Sequence, residues 1–115
     1  MPIDPLLTAD IIEKFENYIE RIRPPVDIRK KLDIDYRIDN QSIIIHEIRP
    51  RWDNPEEYFT SDIAKTTFIK SKNHWKIFWK RADLKWYSYS PNPIVQNLKD
   101  FINIVEEDKL GCFWG

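Results

Sequence analysis

Residues 75–89, WKIFWKRADLKWYSY, hold three of the five tryptophans, two of the five tyrosines and four basic residues. Trp75, Ile77 and Trp79 alternate with Lys76, Phe78 and Lys80, so both lysines fall on one face at the period of a strand. Arg81-Ala82-Asp83-Leu84 is turn chemistry, and Lys85 to Tyr89 is a second aromatic-rich run. The stretch therefore predicts a β-hairpin, and a hairpin this rich in aromatics belongs at the heart of an antiparallel sheet.

Outward from it, Ile63 to Lys70 is rich in Thr and Ile and predicts a strand joined to the hairpin by a tight turn at Lys72-Asn73. Leu32, Ile34, Tyr36 and Ile38 alternate with Asp33, Asp35 and Arg37, a half-buried strand. Asp39-Asn40-Gln41 turns the chain into a strand from Ser42 to Arg49, whose Ile43-Ile44-Ile45 run implies cover on both faces. Trp52 to Glu57 is expected to be a connection. Leu7, Ile11, Phe15, Tyr18, Ile19 and Ile22 form one helical stripe. That helix starts at Asp4-Pro5 or Thr8 and is stopped by Pro24-Pro25. Ile94, Val95, Leu98, Phe101, Ile102 and Val105 predict a second helix from Pro93 to Glu107. The fold class is α+β: a five-stranded antiparallel meander with N- and C-terminal helices packed on one face, in a single domain over residues 1–115.

Pairing Phe68 with Ile77, Thr66 with Trp79, Trp79 with Trp86 and Phe78 with Tyr87 sorts the side chains into two faces. Ala64, Thr66, Phe68, Trp75, Ile77, Trp79, Trp86 and Ser88 form the core side. The opposite face carries a lysine row, Lys65–Lys80–Lys85, beside Thr67–Phe78–Tyr87 and Ile69–Lys76–Tyr89. Three lysines abreast repel one another unless an anion offsets them. Rings beside cations on an open sheet are what single-stranded nucleic acid platforms use.

Charge is distributed to match. The net is −1, but residues 62–89 carry seven Lys/Arg against two Asp/Glu, while residues 1–61 carry nine against thirteen. The expected binding residues are Lys65, Lys76, Phe78, Lys80, Lys85 and Tyr87, for single-stranded nucleic acid, another polyanion or a protein partner. Arg49, Arg51 and Arg81 are candidates for a separate anion pocket, because guanidinium forks suit phosphate and carboxylate.

Other chemistry finds little support. Two histidines, His46 and His74, and one cysteine, Cys112, have no metal-site spacing, and neither glycine belongs to a phosphate loop. Glu47 or Asp62 with Lys65 is a combination common in strands and not diagnostic of a nuclease. No cofactor is expected, and the balance favours a non-enzymatic binding domain. A lone cysteine, no signal-peptide pattern and no apolar run near the ~20 residues of a membrane span make cytoplasmic localisation the expectation, with no membrane partner.

Five stretches together resemble a family of small bacterial proteins catalogued only as a domain of unknown function. They are Arg23-Pro24-Pro25, Glu47 to Asp53 (EIRPRWD), Ala64-Lys65, Trp75 to Trp86 ending in RADLKW, and the terminal Gly111-Cys112-Phe113-Trp114-Gly115. The resemblance implies a bacterial, stand-alone domain and carries over no catalytic residue, substrate or cofactor.

Overall fold

The computed structural model describes residues 5–114. Helix α1 (Pro5–Ile22) leads into strands β1 (Asp33–Asp39), β2 (Ser42–Pro50), β3 (Tyr58–Ile69), β4 (His74–Lys80), β5 (Trp86–Ser88) and β6 (Ile94–Val95), and helix α2 (Leu98–Glu107) follows. Strands β1 to β5 pair antiparallel in sequence order, as the alternation predicts. The two-residue β6 pairs β4 beside β5, so the last rung of the sheet is one strand interrupted at residues 89–93. Pro91 and Pro93 lack the N–H that a continuous ladder needs.

Both helices lie on one face. Ile11, Phe15 and Ile19 of α1 and Leu98, Phe101, Ile102 and Val105 of α2 bury against Ile43, Ile45, Ala64, Trp75 and Ile77 of the sheet. Arg23 ends α1 by forking onto Asp33 at the start of β1, at 2.9 and 2.7 Å, which ties the helix to the sheet across Pro24-Pro25. The expected cap at Asp4 lies outside the described residues. The second helix begins later than the sequence suggests. Asn97 caps it, its side chain accepting from the Asp100 N–H, and Ile94 and Val95, expected inside the helix, are sheet residues. No helix of the described residues is long and apolar enough to cross a membrane.

The C-terminal segment closes the far side of the core. Asp108 takes the left-handed conformation that ends α2 (φ 42°), and its carboxylate accepts from the Phe113 and Trp114 backbone N–H groups. Phe113 is thereby seated against the Tyr89 ring at 5.0 Å, and the Trp114 indole donates to the Val105 carbonyl. Burial and the neighbouring Asp108 carboxylate push the Cys112 thiol pKa up, so it is a packed residue with little thiolate character.

Two hairpin registers differ from expectation, with unequal consequences. The β3–β4 loop spans residues 70–73, with a 3₁₀ turn over Lys70–Lys72 and Asn73 at φ 51°, so Phe68 faces Trp75 and Thr66 faces Ile77. That is a shift of two in the pairing sum, and every side chain keeps its face. The β4–β5 loop spans residues 81–85, one more than a four-residue turn, because Leu84 sits at φ 64° beyond the Arg81–Leu84 turn. Lys80 therefore faces Trp86 and Trp79 faces Tyr87. A shift of one turns over the whole of β5. Trp86, expected in the core, lies on the open face; Tyr87 and Tyr89, expected on the open face, lie on the helix side.

The third strand is also longer than its Thr/Ile-rich part. Tyr58–Asp62 continues it against β2, with Ile63 as the extra residue of a bulge opposite Ile45 and His46. Beyond the bulge β1 accompanies β2 as far as Ile48, and Arg49-Pro50 with Tyr58-Phe59 run on as a two-stranded ribbon; every residue from Arg51 to Ser61 is exposed, with Trp52 95% exposed near its tip.

Candidate functional site

The sheet face opposite the helices gathers one group from each of β1 to β5. Cross-strand pairing places Arg37, Ile44, Lys65, Phe78 and Ser88 in one row and Asp35, His46 and Asp62 in a neighbouring one. Lys80 and Trp86 continue the second row beyond the bulge. The expected row of three lysines does not form. Lys65 is opposite Phe78, Lys80 is opposite Trp86, and Lys85 is in the turn. Cations thus alternate with rings, which reduces the direct like-charge opposition of a lysine row, although the Lys80 charge still disfavours the Lys65 ammonium.

At the β1–β3 end the charges are compensated. Arg37 forks onto Asp62 at 2.8 and 3.1 Å and donates to His46 Nδ1 at 3.2 Å, while Lys80 donates at 3.4 Å to Oδ2 of the same carboxylate, an oxygen it shares with Arg37. The hydrogen bonds from Arg37 hold the Asp62 carboxyl below the usual carboxylate range. His46 is 7% exposed, and its burial, then the Arg37 charge, lower its pKa. Its ring is therefore neutral at physiological pH, with Nδ1 accepting and the proton on Nε2.

Toward β5 the compensation ends. The Lys65 ammonium lies 4.9 Å from the centroids of both the Phe78 and the Trp86 rings, and Lys80 lies 5.5 Å from Trp86. Among the described residues no carboxylate pairs with Lys65, and desolvation lowers its pKa. The rings supply part of what water supplied, roughly 0.5–1 kcal/mol per exposed contact.

The remaining expected residues are dispersed. Lys76 is on the same face, exposed, opposite Thr67 and Ile94. Tyr87 is on the other face, bonded through its hydroxyl to Asp83 and stacked under Arg81 at 4.7 Å. Arg49 binds Glu47 at 2.6 Å, and Arg51 forks onto Asp53 at 3.0 Å. Arg81 instead lines a groove of about 540 Å³ with Arg37, Lys80, Asp62, Phe59 and Leu84, so the three guanidiniums do not share a pocket. Arg37, His46, Asp62 and Trp86 are the members of the cluster that sequence reasoning did not select. Arg37 was detectable from its alternation with Asp33 and Asp35; Trp86 needed the fifth loop residue to be counted. Among the described residues no three His, Cys, Asp or Glu side chains converge on a cation position.

Comparison with protein families adds one finding. Residues 3–115 match the family described as Domain of unknown function (DUF3024). The chain belongs to this family. No curated protein and no solved structure matches it. The stretches that carried the resemblance mostly have structural roles in this DUF3024 member. Arg23 ties α1 to β1, Asp83 organises the β4–β5 turn through the Lys85 N–H and the Tyr87 hydroxyl, and Phe113 and Trp114 are locked by Asp108.

Proposed function

We propose that the chain is a binding domain for single-stranded nucleic acid, and that the strand runs over Lys65, Phe78, Lys80 and Trp86 with Lys76 and Lys85 at its margins. The observation that supports this most directly is Lys65, a desolvated ammonium resting on two rings without a carboxylate partner. A phosphate beside it supplies the missing counter-charge. As the ammonium moves to that phosphate it uncovers Phe78 and Trp86, and ring faces so exposed stack bases at about 1–3 kcal/mol each. Asp33, Asp35 and Asp39 on β1 bound the track, so the strand is expected along β3 to β5.

The test is an anisotropy titration with fluorescein-labelled single-stranded RNA and DNA at about 50 mM and about 200 mM salt, since counterion release makes such binding steeply salt-dependent. Binding that weakens with salt, with a slope reduced by about 0.7 in Lys65→Met, is the expected result. Absence of binding at the lower salt overturns the proposal.

A further inference from the structure

A second surface lies at the edge of the sheet, where β3 outruns β4. The β3–β4 ladder begins at Ala64, so Tyr58–Asp62 pairs with β2 on one side only. Among the described residues no backbone hydrogen bond joins its other side to anything. At 3.4 Å per residue this open edge is roughly 17 Å long.

Open edges invite unwanted pairing, and proteins normally blunt them with charges, prolines or short strands. The other edges of this sheet are treated that way. The β1 edge carries Asp33, Asp35, Arg37 and Asp39 among its seven residues. The β5–β6 edge is broken into pieces of three and two residues around Pro91 and Pro93. Tyr58-Phe59-Thr60-Ser61 has no charge and no proline; of the acidic residues flanking it, Glu57 lies 3.9 Å from Arg51, and Asp62 is occupied by Arg37 and Lys80. The β4–β5 turn stands off from this edge and leaves between them the groove of about 540 Å³.

We infer that the Tyr58–Asp62 edge of β3 receives an extended peptide as an added strand, one whose side chains alternate between acidic and apolar. The alternation follows from the lining. Thr60 and Asp62 line the groove with Arg37, Lys80 and Arg81, three cations to one carboxylate, so that side of the incoming strand meets an excess of positive charge. Phe59 points to the opposite face and is 46% exposed, and Leu84, across the groove, is 75% exposed; they offer apolar cover to the alternate side chains. Main-chain pairing supplies the hold, and period-two side-chain selection supplies the discrimination. This edge shares Lys80 with the Lys65–Phe78–Trp86 track but lies beyond it along β3, and its role does not depend on that of the track.

The experiment is amide hydrogen exchange on the full chain with a blocked octapeptide alternating glutamate and valine, against the same peptide with lysine for glutamate. Slowed exchange across Tyr58–Asp62 with the glutamate peptide alone is expected. Lys80→Glu and, separately, Phe59→Ala should abolish most of the protection, and neither residue belongs to the buried core. No protection at saturating peptide, equal protection by the lysine peptide, or protection that survives both substitutions overturns the inference. So does protection that grows with protein concentration without peptide, which assigns the edge to a second copy of the chain. Protection of this edge by single-stranded RNA assigns it to nucleic acid and overturns it equally.

Discussion

Replacing Asp108 is expected to loosen the C-terminus from the core by an amount that can be built from its contacts. The carboxylate accepts two backbone N–H bonds, from Phe113 at 3.0 Å and Trp114 at 2.9 Å. A hydrogen bond to a charged group contributes about 1.5–3 kcal/mol when shielded. Asp108 is half-buried, so about 1 kcal/mol each is the appropriate scale, or about 2 for the pair. The residue also holds φ 42°, which costs a β-carbon-bearing residue such as alanine about 1 kcal/mol more than it costs glycine. Asp108 already bears that cost, so Asp108→Ala should destabilise by about 2 kcal/mol, Asp108→Gly, which relieves it, by about 1, and Asp108→Asn, which keeps one carbonyl acceptor, by about 1. Urea unfolding followed by tryptophan fluorescence measures all three, with an unchanged denaturant slope confirming two-state behaviour. An alanine variant within about 0.5 kcal/mol of the parent, or no difference between alanine and glycine, refutes the account.

Leu84→Gly should raise stability by about 1 kcal/mol, because the exposed leucine contributes little burial and its φ of 64° suits glycine; a lowered urea midpoint contradicts this. Asp62 and Asp33 have carboxyls held below the ordinary range by hydrogen bonds from Arg37 and Arg23. Their stabilisation is complete above the unfolded value of about 4 and is lost as pH falls through the depressed folded values, so Arg37→Met should flatten the acid limb of the stability profile. The Tyr18 phenol, mainly by burial, and the Tyr36 phenol, by burial and then its bond to Glu16, are pushed up to about 12. A spectrophotometric titration should find both ionising near there, with stability declining as pH rises above the unfolded value of about 10. If the register is right, oligonucleotide quenching of fluorescence survives Trp79→Ala and is lost in Trp86→Ala; the reverse result places β5 the other way up.

The strands were legible because the chain alternates cleanly through Leu32–Ile38 and Trp75–Lys80, and α1 because one stripe recurs at helical spacing before two prolines. What was hidden depends on backbone conformations that side-chain patterns do not encode. Nothing in Arg81-Ala82-Asp83-Leu84-Lys85 announces that a leucine takes a positive φ, since leucine is among the residues least suited to it. That single torsion exchanged Trp86 with Tyr87 between faces and so changed which ring belongs to the candidate site. The ribbon was hidden for a different reason. Tyr58 to Ser61 pairs on one side and is exposed on both faces, so burial imposes no alternation for a sequence pattern to reveal. The late start of α2 follows from Asn97, a better cap than Pro93, and from the pairing of Ile94 and Val95 with β4, a long-range preference invisible to local periodicity.

The bulge at Ile63 divides β3 into two frames. On the Ala64 side, even-numbered residues look toward the helices; on the Asp62 side, odd-numbered ones do. Pairing Ile63 opposite His46 in a regular ladder would transpose the rest of the strand, sending Phe59 to the charged face and Asp62 toward the helix side, away from Arg37 and Lys80, whereas deleting Ile63 would keep Asp62 opposite His46. A one-residue phase offset thus lets the ribbon carry its own inside-out pattern while the body of the sheet keeps the core pattern unchanged, so length changes at the ribbon tip can be absorbed without disturbing the packing beneath it.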